Sequence, residues 1–192
     1  MQTTGGAALN TGTDRGRWGA RGALIGLAAG LILLDQVTKQ LTVTHLAGAE
    51  PVRLLGGLVY LVHATNSGAA FSLGSNHTWV FPLIAFAVLG WIGWLSIRLR
   101  SGLWAVGLGL IAGGAAGNLV DRLFRPPGPF RGEVVDMISV FVPDGSVWPI
   151  FNVADSCLVL GVVLVVWLEL TGRQRDGTRV VSAPAEPREQ DA

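Results

Sequence analysis

The sequence predicts an all-α membrane fold with four transmembrane helices, on three observations. Half of its 192 residues are apolar and only 14% are charged, well under the roughly 25% charged content of soluble domains. Four segments, at about 20–40, 79–97, 103–120 and 152–170, each supply the ~20 mainly apolar residues that a bilayer crossing needs. A four-span path also sorts the charges: Arg15, Arg17, Arg21, Arg98, Arg100, Arg173, Arg175, Arg179 and Arg188 fall on one side, and the other five of the 14 basic residues on the other. The positive-inside rule then puts both termini in the cytoplasm.

The first span follows an N-terminal stretch rich in Gly, Thr and Ala. Residues 1–19 and 172–192 read as disordered cytoplasmic tails around one membrane domain at 20–171. A cleaved secretory leader is the competing reading of the start, since the charge-free run 22–34 precedes an Ala-x-Ala match at Ala47 and Ala49. Cleavage there would discard Asp35 and leave three spans. Residues 54–73 form a further stretch without Asp, Glu, Lys or Arg. Counting it as a span would break the charge asymmetry, so it is read as a small extracytoplasmic β-rich element between spans 1 and 2. Leu58-Val59-Tyr60-Leu61-Val62 is strand-prone, and the glycines and Asn66 mark turns. An outer loop joins spans 3 and 4.

A net charge of +1 gives no basic surface for nucleic acid, so no nucleic-acid partner is expected. The single cysteine, Cys157, lies in an apolar run and reads as a small buried hydrophobe.

Ionisable groups in or beside spans are costly and mark function. Asp35 and Lys39 end span 1; Asn118, Asp121 and Arg122 end span 3; Asn152 and Asp155 begin span 4. On the four-span path all three clusters share the outer membrane face. Asp35 and Lys39, four residues apart, suit an ion pair along one helix face. Asp121 beside Arg122 suits a carboxylate holding a cation that, with Asn118, offers donors to a peptide. Asp155 lies about 5 Å along the fourth helix with no basic residue within a turn, and Asn152 shares its face. Two carboxylates brought together share one proton and can act as base toward water and acid toward a leaving amine. Such hydrolysis uses neither metal nor cofactor. Asp136, Glu133 and Asp144 in the outer loop are all available partners for Asp155, and spacing does not choose among them.

The motifs do choose. Asp35-Gln36-Val37-Thr38-Lys39, Asn66-Ser67-Gly68-Ala69-Ala70-Phe71-Ser72, the glycine-rich run ending Gly117-Asn118-Leu119-Val120-Asp121-Arg122, Val134-Val135-Asp136, and Trp148-Pro149-Ile150-Phe151-Asn152-Val153-Ala154-Asp155-Ser156 stand in this order. From about residue 20 to 170 the chain resembles the lipoprotein signal peptidase family, also called signal peptidase II. That resemblance implies an aspartyl endopeptidase of the bacterial plasma membrane with a catalytic pair, Asp136 and Asp155, at the outer face. Asp35, Lys39, Asn66, Gly68, Asn118, Asp121, Arg122 and Asn152 are implied to bind substrate or support the site. The implied substrate is a prolipoprotein carrying a diacylglyceryl-modified cysteine, cut just before that cysteine, by a monomer in contact with membrane lipid.

Met137 stands where the family usually has Phe, and residues 123–132, with three prolines, are longer than usual. Two other classes would also place acids in a membrane. An ion-coupled carrier would want them near the midplane and an internal repeat, neither of which is present. A transferase using Mg²⁺ would want several carboxylates on one ion.

Overall fold

The computed structural model describes residues 11–68 and 78–180, with side chains from Trp18 onward. Among the described residues there are four helices: α1 (Thr11–Leu46), α2 (Val80–Ser96), α3 (Gly102–Phe124) and α4 (Val153–Leu170). Three stretches are long and apolar enough to cross a membrane, Trp18–Leu46, Gly102–Phe124 and Val153–Leu170; α2, at 17 residues, is an apolar helix below that length. Large side chains such as Leu33, Trp91, Trp94 and Val163 are exposed on the outside of the bundle, as helices facing hydrocarbon require.

α3 is the central helix, and its glycines explain why. Gly109, Gly113 and Gly117, spaced by four, lie against Leu27, Leu31 and Asp35 of α1, also spaced by four. A Cβ on them would come within 3.1 Å of Leu27, 2.9 Å of Leu31 and 2.8 Å of Asp35. The opposite ridge meets α4: a Cβ on Gly114 would sit 2.4 Å from the Ala154 carbonyl, and one on Gly107 2.8 Å from Val165. With little hydrophobic gain from pairing helices in lipid, such backbone approach is what makes dispersion between them large.

Two boundaries differ from the sequence reading. α1 starts at Thr11, inside the stretch read as a tail, since a helix anchored in a bundle propagates at one hydrogen bond per added residue. At the other end, residues 173–180 fold back as a turn bridged between Arg173 and Arg179. The Arg175 carbonyl accepts from the Arg100 and Ser101 amides at 2.9 and 3.0 Å, and the Trp104 indole donates to the Arg173 carbonyl at 2.8 Å. Residues 1–10 and 181–192 of the expected tails, and 69–77 with the end of the Asn66–Ser72 motif, lie outside the described residues.

The β-rich element is present and larger than its own segment. β1 (Val52–Leu54) and β2 (Val59–Asn66), joined by a 3-10 turn at Leu55–Gly57, form an antiparallel sheet with β3 (Val134–Val140) in the order β1-β2-β3. The outer-loop strand thus pairs with the element after α1. The register slips between Leu61 and Ala64, a bulge that puts one extra residue in β2. Beyond it Ala64 pairs with Asp136 and Asn66 with Val134, which makes Asn66 and Asp136 diagonal neighbours on one face.

Replacing Gly114 with valine should force α3 and α4 apart and lower stability by about 1–3 kcal/mol or more. The check is a thermal melt in detergent against a Gly93→Val control, a glycine with nothing within 4 Å of its Cβ position.

Candidate functional site

The polar clusters converge. Lys39, with no exposed surface, donates to Asp35 Oδ2 at 2.7 Å, Asp121 Oδ2 at 2.8 Å and Asn118 Oδ1 at 2.9 Å. Those three acceptors use all three ammonium protons. The second oxygen of Asp35 accepts from the Ala154 amide at 3.0 Å, in the first turn of α4, where unpaired amides favour an anion. The expected Asp35–Lys39 pair therefore forms, but as part of a buried network joining α1, α3 and α4.

Asp121 departs from expectation. Its partners are Lys39, the Arg125 Nε at 2.7 Å, the Gln36 amide at 3.3 Å and the Val135 amide at 3.3 Å, and not Arg122. Adjacent residues on a helix point about 100° apart, so neighbours in sequence do not face each other. Arg122 instead donates to the Gly132 carbonyl at 3.2 Å and stacks 5.0 Å from the Phe81 ring centroid. Asn118 is likewise committed. Its oxygen accepts from Lys39 and from Asn152 at 3.1 Å, and its nitrogen donates to Asp155 Oδ1 at 2.7 Å. Its amide is engaged by the protein at both ends, with one Nδ2 proton left over.

Asn152 caps α4. Its side-chain oxygen accepts from the Asp155 amide at 2.9 Å, while Asp155 Oδ2 accepts from the Asn152 amide at 3.2 Å, a reciprocal capping box. The Asn152 Nδ2 donates to Asp136 Oδ1 at 2.6 Å. The amide orientations follow in sequence from one cation. Lys39 requires an oxygen of Asn118, which turns the Asn118 NH₂ to Asp155; the same oxygen requires an NH₂ of Asn152, which reaches Asp136.

Asp136 reaches this point through pairing on both sides of β3. β2 holds one edge, and on the other Phe151 bridges Ile138, with Phe151 N to Ile138 O at 3.0 Å and Ile138 N to Phe151 O at 2.8 Å. The residue after Phe151 is Asn152, so the bridge sets the start of α4 beside Asp136. Asn66 Nδ2 donates to Asp136 Oδ2 at 3.3 Å, and the Gly68 amide holds Asn66 Oδ1 at 2.7 Å. Gly68 has a φ of +89°, and a Cβ there would meet the Phe81 ring at 2.3 Å, so both conformation and space require glycine.

Asp136 and Asp155 line one cavity of about 320 Å³. Asn66 and Arg122 share its polar end, and apolar Ile84 and Val88 of α2 its other wall. Of the three loop acids, Asp136 alone lines this cavity; Asp144 is exposed, and hydrogen bonds from the Ser146 side chain and then from its amide hold its carboxyl below the usual range. Burial, and then the neighbouring Asp155 charge, push the Asp136 carboxyl up to about 6, against the hydrogen bonds from Asn152 and Asn66.

Sequence reasoning missed three contributors. Arg125, four residues from Asp121, had a spacing signal. Gln36 lay inside a quoted motif. Phe81, at the start of α2, gave no local sign of its place beside Gly68 and Arg122.

Two solved structures share this architecture. Both are bacterial membrane enzymes crystallised by the in meso method. One, at 1.9 Å resolution, has a TM-score of 0.68 and 30% identity, covering 78% of this chain and 93% of the other. The second, at 2.3 Å, has a TM-score of 0.66 and 27% identity, covering 84% and 95%. The fold is thus that of a bacterial membrane enzyme. More narrowly, residues 27–171 match the family model for signal peptidase (SPase) II, and the chain belongs to that family. Proteins named lipoprotein signal peptidase are similar over most of this chain: that of Mycolicibacterium smegmatis is 49% identical over 85% of this chain and 68% of its own. That of Mycobacterium avium is 50% identical over 80% and 81%, and that of Rhodococcus jostii 46% over 83% and 78%.

Two outcomes are expected. Lys39→Met leaves Asp35 and Asp121 buried without their shared cation, and the melt in detergent should show a loss of about 3–5 kcal/mol. The raised Asp136 carboxyl makes the folded state bind more protons than the unfolded chain between about pH 4 and 6. Its contribution is full below about pH 4 and is lost as pH rises through 6, for a change of about 3 kcal/mol. Melting across that range should show the fall in wild type and not in Asp136→Asn, and Asp155→Asn should move it to lower pH.

Proposed function

We propose that this protein is an aspartyl endopeptidase that removes the signal peptide from diacylglyceryl-modified prolipoproteins, with Asp136 and Asp155 as the catalytic pair. The observation that carries the reading is their shared cavity, where two acids from different elements both accept from asparagine side chains, Asp136 from Asn152 and Asn66 and Asp155 from Asn118, and Asp136 is pushed up to about 6. Two acids coupled in this way give up their protons in steps that belong to the pair, and the form that carries one proton is the reactive one. The ionised member takes a proton from water as the water attacks the scissile carbonyl. The protonated member then supplies a proton to the leaving amine, so the proton count closes with no metal or cofactor.

Arg122 keeps unused guanidinium donors at the cavity and is the residue we assign to a peptide carbonyl. Asp35, Lys39, Asn118, Asp121 and Asn152 fix the donors, while Asn66 and Gly68 shape the opening. β1 pairs only with Val59–Leu61. Past Leu61 that edge of β2 has no strand partner among the described residues, and an extended peptide could add there.

In this reading α2 is the fourth crossing, short enough at 17 residues to thin the bilayer slightly or to be completed by flanking residues. Both termini lie in the cytoplasm, residues 20–171 form the peptidase domain, and the aspartates face the outer leaflet. A substrate anchored there by its own acyl chains presents its scissile bond at that depth. A monomer holds every group used.

The test is cleavage of a diacylglyceryl-modified lipobox peptide by the purified protein in detergent. Asp136→Asn and Asp155→Asn should each lower kcat by about 10²–10⁴-fold or more, with chelator having no effect on wild type. Turnover near wild-type rate by either variant, or loss of activity with chelator, would sink the assignment.

A further inference from the structure

A second cavity, of about 360 Å³, lies between α2, α3 and α4 toward the end of the bundle away from the aspartates. Its wall is apolar and includes Trp91, Trp94, Val162 and Val165; its charged lining residues are Glu169 and Arg175. Val88 lines both this cavity and the one holding the aspartates, so the two adjoin on the α2 side of the bundle. Trp91 and Trp94 are 61% and 63% exposed. Tryptophans in such numbers at one end of a membrane bundle mark the headgroup level.

The two charges are unspent. Glu169 and Arg175 have no ion-pair partner among the described residues, each other included. Glu169 is one residue from the C-terminal end of α4, where the helix dipole disfavours an acid and favours a cation. Arg175 is held in place through its backbone, its carbonyl accepting from Arg100 and Ser101, and its guanidinium lies 6.0 Å from the Trp104 ring. The cavity is therefore lined by a cation whose backbone is held in place and by an acid with no ion-pair partner among the described residues, beside an apolar slot.

We propose that this cavity binds a phospholipid with an ethanolamine headgroup, one acyl chain in the slot, the phosphate on Arg175 and the ammonium on Glu169. Choline lipids carry the same two charges but no ammonium N–H to donate. Glycerol lipids carry the phosphate alone and leave Glu169 without a counter-charge. The neighbouring Arg98 and Arg100 draw phosphate of either kind, so the acid is what discriminates. The inference uses only the span reading and is independent of the catalytic assignment.

Native mass spectrometry of the full chain in mild detergent tests this. The competing probes are phosphatidylethanolamine, phosphatidylcholine and phosphatidylglycerol with matched chains, in equal amounts. One phosphatidylethanolamine should be retained over either competitor by about fivefold or more. Glu169→Gln should erase that preference while leaving lipid bound, and Arg175→Gln should weaken all three. Val162→Trp, which fills the slot and leaves both charges in place, should reduce retention of every lipid. Equal retention of the three lipids, a preference for phosphatidylglycerol, or an unchanged preference in Glu169→Gln overturns the proposal. Peptidase activity enters none of these readouts, so their failure would leave the role of the aspartates standing.

Discussion

One ammonium group organises the polar end of this molecule. Lys39 is fully buried, and taking a lysine out of water costs several kcal/mol unless its charge and its protons are met. Two carboxylates and an amide oxygen meet them. Because the acceptors come from α1 and α3, and Asp35 also holds the first turn of α4, the cation fixes three helices at one level. It also gives direction to hydrogen bonds it does not touch. Asparagine amides are close to symmetric in shape, and only an adjoining charge makes one orientation clearly better. The donors reaching Asp155 and Asp136 are thus set from the far side of the site.

That arrangement needs helices closer than ordinary side chains permit. Gly117 lets Asp35 lie against α3, and Gly114 lets the Ala154 carbonyl do the same. A Cβ at either position would push apart the groups that share the Lys39 network. The glycine ridges of α3 therefore serve the buried polar network as well as the packing. The cost of burying Asp35, Lys39 and Asp121 is met by geometry that only small residues allow.

The helices were legible in the sequence because a bilayer imposes one length and one polarity on each crossing, and α3 and α4 fall within a few residues of expectation. Asp136 was legible only through its motif. Composition treated it as it did Glu133 and Asp144, since what separates them is a strand pairing across some seventy residues and a bridge to Phe151 that no local period encodes. The partners of Asp121 were misread for a related reason: chain adjacency to Arg122 suggested a contact that helix geometry forbids. Phe81 was invisible, because its contacts with Gly68 and Arg122 are set by tertiary packing alone.

The proline-rich stretch that carries the chain from α3 to β3 is fastened at both ends. Arg125 N bonds the Asp121 carbonyl, Gly132 N the Arg122 carbonyl, and Glu133 N the Pro126 carbonyl. Gly132 runs so near the helix end that a Cβ would lie 2.1 Å from the Asp121 oxygen. The extra residues therefore bulge outward from a closed neck. Residues 127–131 thus form a tab outside that neck, and where Asp136 stands is set by the neck and by the pairing of β3 with β2 and not by the tab's length.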